Sequence, residues 1–241
     1  MRVEPRKTRI FREGQDLIAF IEAHVPKLKD GSVLAVTSKI VALAEGRTVS
    51  KGKGFDKKKL VRAESEWAIE SYPKWWLTVR DGAFLVNAGI DESNAAGKIV
   101  LLPKDSFAAA AKVRAALLKR YKIKRLGVII TDSHVAPLRN GVFGIALGYA
   151  GIKGIRDYRG TKDLFGRSLA VTQVNVPDAL ASAAALSMGE GAERQPLAII
   201  EDAPVEFRDR TNKRELLIAP SKDIYRRVLR LPRKKIGKRA R

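Results

Sequence analysis

The sequence predicts an α+β fold: a mixed sheet with hairpins and flanking helices. Three observations carry that prediction. Short runs rich in Val and Ile alternate with helical runs, but they keep no fixed strand–helix–strand period. Asp81-Gly82, a tight-turn pair, separates two apolar runs in the way a hairpin requires. The length of 241 residues and the 45% hydrophobic content suffice for a substantial core.

"SVLAVTSKIVALAEG" (32–46) begins as a buried strand, turns a polar corner at Thr37, Ser38 and Lys39, and continues as a short helical turn closed by Gly46. "FDKKKLVRAESEWAIESY" (55–72) spaces Leu60, Glu64, Trp67 and Ala68 as a partly amphipathic helix, stopped by Pro73. The hairpin follows, Trp75–Arg80 and Ala83–Ala88, and its alternation reads as sheet core, which gives Trp75 and Trp76 a packing role. "KIVLLP" (98–103) is a strand, and "DSFAAAAKVRAALLKRY" (105–121) is a helix with Asp105 as N-cap and basic residues in its last turn. The strand Leu126–Ile130 comes next, and its apolar run ends in Thr131, Asp132 and Ser133. "LAVTQVNVP" (169–177) predicts a strand, "DALASAAALSMG" (178–189) an Ala-rich helix, and "PLAIIEDA" (196–203) a strand. There is no internal repeat.

The chain has no Cys, which excludes disulfides, zinc–thiolate sites and a thiol nucleophile, and fits a reducing compartment. No apolar stretch approaches the roughly 20 residues of a membrane span, so the expectation is a soluble, cytoplasmic protein without a membrane segment. Charge is lopsided. The 47 Lys and Arg against 26 Asp and Glu give +21, and the stretch from Phe207 onward carries 14 basic residues against Asp209, Glu215 and Asp223. We therefore divide the chain into residues 1–206 and a basic C-terminal extension, 207–241. Its last part, "LRLPRKKIGKRAR", reads as a mobile tail that either binds nucleic acid or keeps the protein in solution. The basic run "KGKGFDKKKLVR" (51–62) leaves phosphate binding and plain solvation equally open.

Residues able to do chemistry are few. His24 lies in a predicted helix and reads as surface or packing, and His134 is the other imidazole. Neither a GxxxxGK[ST] loop nor a GxGxxG after a strand is present. Three carboxylates stand at strand ends or beside glycines: Asp91 in "NAGIDESN", Asp132 in "IITDS" and Glu190 in "SMGEG". With neighbouring hydroxyls they make hard oxygen ligands suited to Mg²⁺ or Mn²⁺. Each alone reads equally as a turn or cap residue. Asp132 is the strongest candidate, because a carboxylate at the C-terminal end of a buried strand sits where sheets open onto ligand crevices.

Several colinear blocks carry a resemblance: "VTSKIVALAEGR" (36–47), "NAGIDESN" (87–94), "LLPKDSFAAAAKVRAAL" (101–117), "GVIITDS" (127–133) and "RDYRGTKDLFGRSLAVTQVNVPDALASAAALSMGEG" (156–191). Together they resemble the coenzyme F420-0:L-glutamate ligase family, GTP-dependent γ-glutamyl ligases of deazaflavin coenzyme synthesis, over roughly residues 30–200. The resemblance implies a mixed α+β fold and a homodimer, with residues 1–206 as the ligase-like domain. It also implies GTP as co-substrate, two Mg²⁺ or Mn²⁺ ions, and the joining of L-glutamate to a carboxylate acceptor, coenzyme F420-0 or an analogue. The family's metal positions match Asp91, Asp132, Ser133 and Glu190, and its nucleotide positions match Ser38, Lys39 and Asn94. Asp132 and Lys39 take the catalytic roles, and Thr131 is structural.

Departures cluster in three places. "TRIFR" (8–12) lacks the Gly and Pro of the family's N-terminal nucleotide segment, and Leu43 stands where a second Lys is usual. After Asp132, the residues Val135, Ala136, Leu138 and Val142 replace Gly, Arg, Trp and Gln, and Gly144 replaces Asp, while Pro137, Arg139 and Gly141 are kept. These changes imply a remodelled substrate pocket and a divergent member. Two rival readings are a member that still makes the deazaflavin coenzyme, and a non-enzymatic descendant acting as a basic nucleic-acid-associated protein.

Overall fold

"SVLAVT" (32–37) is apolar on both sides of its pleat, so as a strand it needs cover on both faces. A computed structural model, which describes residues 1–229, supplies that cover. In chain order the elements are β1 (Arg2–Arg6), α1 (Leu17–His24), β2 (Ser32–Thr37), α2 (Ser38–Ala44), β3 (Thr48–Ser50), α3 (Lys57–Ala63), β4 (Trp67–Tyr72), β5 (Trp75–Arg80), β6 (Ala83–Val86), β7 (Lys98–Val100), α4 (Ser106–Tyr121), β8 (Leu126–His134), β9 (Phe143–Ala150), β10 (Ile155–Asp157), β11 (Gln173–Asn175), α5 (Val176–Met188), β12 (Leu197–Glu201) and α6 (Arg226–Leu229). The main sheet runs β1-β12-β2-β8-β9. Within it β2 and β8 are parallel and every other pairing is antiparallel, so the sheet is mixed, as the sequence predicts.

Alternation along the strands sorts the core into two layers. Leu34, Val36, Val128 and Ile130 face Phe20 and Ile21 of α1, Val41 of α2, and Ala110, Val113 and Leu117 of α4. Val33, Ala35, Ile129, Ala198 and Ile200 face Leu180, Ala181, Ala184 and Met188 of α5. Both long helices start on side-chain caps. Asp105 accepts from the Ala108 N–H, and Asn175 accepts from the Asp178 N–H with Pro177 in the first turn. Close helix–sheet approach demands glycine at Gly144, where a Cβ would stand 2.3 Å from the Ala181 carbonyl oxygen.

Residues 48–100 form a smaller lobe from the β4-β5-β6 meander, the β3–β7 pair and α3, around Val61, Trp76, Ile90 and Ile99. Here the sequence reading needs correction. The helix predicted over 55–72 ends at Ala63, and Trp67–Tyr72 is a strand pairing with β5. Glu64 marks the break: it is buried, and its carboxylate accepts from Arg47 Nη2 at 2.5 Å and from buried Arg80 Nη1 at 2.6 Å. The strand expected to stop at Ile130 runs on to His134, because β9, unassigned from sequence, continues to pair with it. Residues 98–103 and 169–177 are strand only at Lys98–Val100 and Gln173–Asn175, and α5 begins two residues early at Val176.

The chain beyond Glu206 continues on the core. Phe207 and Leu216 pack against the α5 face. Tyr149 donates its hydroxyl to Glu215 Oε2 at 3.1 Å, and Glu215 Oε1 accepts from the Ile155 N–H at 3.1 Å. The predicted mobile tail falls largely in residues 230–241, outside the described residues. Among the described residues no helix is long and apolar enough to cross a membrane.

Removing one member of a buried ion pair strands its partner charge, at a cost of about 3–5 kcal/mol. Glu64→Ala is therefore expected to lower the unfolding free energy in urea by about 3 kcal/mol or more, through the loss of the carboxylate that Arg47 and Arg80 share.

Candidate active site

Parallel pairing of β2 and β8 sets Thr37 opposite Thr131. One residue further on, β2 gives way to α2 while β8 continues along β9, and Ser38 Oγ donates to Asp132 Oδ1 at 3.0 Å across 94 residues of sequence. Just before this point the β8–β9 register shifts: Ile130 pairs with Gly148 and Thr131 with Ala146, which leaves Leu147 as the extra residue of a bulge. A bulge twists the strand and re-aims the side chains beyond it. Beyond it, Asp132 and Ser133 both line the crevice, while Thr131 stays buried.

A polar cavity of about 80 Å³ occupies this end of the sheet. Ser38, Lys39, Asp91, Asp132, Ser133 and Glu190, six of the seven residues singled out from sequence, line it. Lys39 Nζ contacts Asp91 Oδ2 at 2.5 Å and donates to the Ser93 carbonyl at 2.9 Å. Ser133 donates to Glu190 Oε2 at 2.7 Å. Asn94, the seventh, lies at the edge and donates through Nδ2 to the Gly191 carbonyl at 3.2 Å.

Each carboxylate is thus held by a separate partner. Among the described residues, no three Asp, Glu or His side chains gather into a compact metal cluster. The donors still fit a hard divalent cation in type: three carboxylates and a hydroxyl on one cavity. Asp132 carries the clearest electrostatic demand. Burial pushes its carboxyl up to about 7; the Ser38 hydroxyl and the Ser133 N–H oppose this, and neighbouring Asp91 adds to it. Burial works the same way on Asp91, but the Lys39 ammonium and the Ser93 donors outweigh it and hold Asp91 below its ordinary value.

Sequence reasoning missed Ser93, whose N–H and hydroxyl donate to Asp91 at 2.7 and 3.1 Å. The Asp-x-Ser spacing of an Asx turn was the available signal. It also missed Trp75, which is 56% exposed and, with His134, lines a second cavity beside Asp132, whereas Trp76 is core as expected. His24 packs on Phe20, in line with its reading. In the basic run 51–62, Lys51 and Lys57 converge on Glu92, whose carboxyl they hold down at about 2. Lys58 and Arg62 lie over the Trp76 ring.

The departures have structural reasons. Phe11 of "TRIFR" is buried edge-on against Phe20, and Leu43 packs on the core, so both places serve packing here. An Asp at 144 would collide with α5, and Ser182 Oγ donates to the Gly144 carbonyl at 2.7 Å instead.

The model of the F420-0:gamma-glutamyl ligase family matches residues 6–202. The chain belongs to this family. It is 36% identical to a coenzyme F420:L-glutamate ligase of Methanopyrus kandleri over 248 residues, 94% of this chain and 98% of that protein. A ligase of the same name from Archaeoglobus fulgidus is 34% identical over 238 residues, 92% and 94% of the two chains. One from Methanocaldococcus jannaschii is 36% identical over 217 residues, 89% and 86%. The α+β architecture fits the F420-0:gamma-glutamyl ligase family, and membership supports a ligase activity in general terms.

A carboxyl with a raised native pKa binds its proton more tightly folded than unfolded. In chelator-treated protein, stability should fall as pH rises from about 4 towards 7, because the native state then holds the extra proton, and should level off above that. Asp132→Asn should remove this loss. Thermal melts of the wild type and of Asp132→Asn at pH 5 and pH 8 check it.

Proposed function

We propose that the protein is a metal-dependent γ-glutamyl ligase that uses GTP to activate a carboxylate as an acyl phosphate and joins it to L-glutamate. The observation that carries this reading is the convergence of Ser38, Lys39, Asp91, Asp132, Ser133 and Glu190 on one cavity, in a chain of this ligase family. Asp91, Asp132, Ser133 and Glu190 would hold Mg²⁺ or Mn²⁺, which when bound supplies neutralisation of phosphate charge.

The chain's own groups then do positioning and electrostatic work. Lys39, now shared between Asp91 and Ser93, brings a cation to the phosphate oxygens. Ser38 fixes the Asp132 carboxyl, and Asn94 with Ser38 would contact the nucleotide. An acceptor carboxylate oxygen attacks the γ-phosphorus, the bridging P–O bond to the β-phosphate breaks, and GDP departs. The amine of glutamate attacks the acyl carbon, a C–N bond forms, phosphate leaves with the bonding pair, and the ammonium proton passes to solvent. No covalent enzyme intermediate is needed, which suits a site without Cys.

The altered residues 135–144 support a member divergent in its acceptor, coenzyme F420-0 or an analogue. The homodimer belongs to the same proposal, and Leu164 and Phe165, almost fully exposed, support it as apolar surface available for burial.

Calorimetry with GTP and ATP, with and without Mn²⁺ or Mg²⁺, tests the reading. GTP should bind only with metal, Asp132→Ala should abolish binding, and Lys39→Ala should weaken it by roughly 10- to 100-fold, the size of a charged hydrogen bond. Absence of nucleotide binding under every metal condition would overturn the proposal.

A further inference from the structure

α4 buries one face and leaves the other without a partner. Ala110, Val113 and Leu117 lie in the core, whereas the exposed positions of the helix are Ala108, Ala111, Lys112, Ala115, Lys119 and Arg120. Just past it, Lys122 and Lys124 are exposed as well, with Lys122 in a left-handed conformation at the C-cap. The 20 residues from Ser106 to Arg125 include seven Lys or Arg and no Asp or Glu.

The arginines of this segment have carboxylate partners. Arg114 pairs with Asp209 at 2.9 Å, Arg120 with Glu22 at 3.8 Å and Arg125 with Asp30 at 2.9 Å. Lys112, Lys119, Lys122 and Lys124 have no carboxylate partner among the described residues. A helix face that is merely solvated mixes both signs, commonly with Glu four residues before Lys. The helix dipole favours cations in the last turn only. Neither effect accounts for Lys112 in mid-helix or for Lys124 beyond the cap. Lys112 and Lys119 share one face, about 10 Å apart along the axis, and only alanines stand between them on it.

We infer that this face of α4, with the turn that follows it, binds the phosphate backbone of a duplex nucleic acid. Lysine brings a flexible point charge that meets phosphates without reading sequence. From Lys112 to Lys122 the face runs about 15 Å, over which a duplex presents roughly nine phosphate charges. The exposed positions include no aromatic ring on which the bases of a single strand could stack. An anionic membrane matches less well, because the apolar side of α4 is sealed on the sheet and has nothing to insert. The face also stands apart from the catalytic crevice. The chain enters β8 at Leu126, beside Lys124, and Asp132 lies about 20 Å further along that strand.

Fluorescence anisotropy on the full chain, with labelled RNA and DNA duplexes of one sequence and length, tests this. For whichever duplex binds, log affinity against log salt should fall with a slope of about −3 to −4 or steeper. The combined variant Lys112→Gln, Lys119→Gln, Lys122→Gln and Lys124→Gln should flatten that slope by about 3 and weaken binding at about 50 mM salt at least tenfold. Its melting temperature should stay that of the wild type. Lys→Arg at the same four positions should retain binding. Lys7→Gln, Lys53→Gln, Lys59→Gln and Lys222→Gln together remove the same charge elsewhere and should cost much less. An equal loss in that control would overturn the inference, since net charge alone would then hold the duplex. Unchanged binding by the α4 variant, or no duplex binding by the wild type, would overturn it too. So would tighter binding of poly(U) or of phosphatidylserine vesicles through the same lysines, which would make the partner a single strand or a membrane.

Discussion

The parallel pairing of β2 with β8 is the constraint on which the rest of the structure depends. Its register places Thr37 beside Thr131, and everything useful follows one residue later, where Ser38 meets Asp132. Two parallel strands present the same end to the same crevice, so their C-terminal residues converge without a turn linking them. Antiparallel pairing of the same two strands would set one exit at each end of the sheet. The rest of the main sheet serves this pair: β12 and β9 cover its edges, while α1, α4 and α5 cover its faces.

The smaller lobe supplies what the sheet cannot. Asp91 follows the short helical turn Asn87–Gly89, and its position is fixed by a two-way backbone bridge to Val100 at the end of β7. Ser93 then closes an Asx turn on the Asp91 carboxylate. The Arg47–Glu64–Arg80 cluster ties this lobe to the main body, since Arg47 and Arg80 also donate to the Leu102 carbonyl ahead of α4. Asp91 and Asp132 come from different lobes, so the spacing of the two carboxylates reports how firmly the lobes are joined.

Much of this was legible in the sequence where a single physical signal dominates. A short Val-rich apolar run such as Val33–Val36 fits a strand buried on both faces, and Asp105 before an Ala-rich segment fits a helix N-cap; both are found there. The site residues were legible through colinear blocks, since no single motif among them is distinctive. Illegible features were those set by partners distant in sequence. Trp67–Tyr72 has helix-compatible spacing and becomes a strand because β5 pairs with it. β8 outlasts its apolar run because β9 lies alongside, and the bulge at Leu147 leaves no local trace. Trp75 looked like core because alternation states which face a residue is on, without saying whether that face is covered.

The strand order has a consequence for how the protein is made. β12, from near residue 200, lies between β1 and β2, so β1 has no partner in the sheet until almost the whole described chain exists. A ribosome delivers Ser38 long before Asp132, and it delivers both before the strand that seals the edge of β2. The interval exposes an unpaired apolar edge, which slows folding and invites association. It also delays a finished site until the scaffold can close around it, so Ser38 and Asp132 meet only late in synthesis.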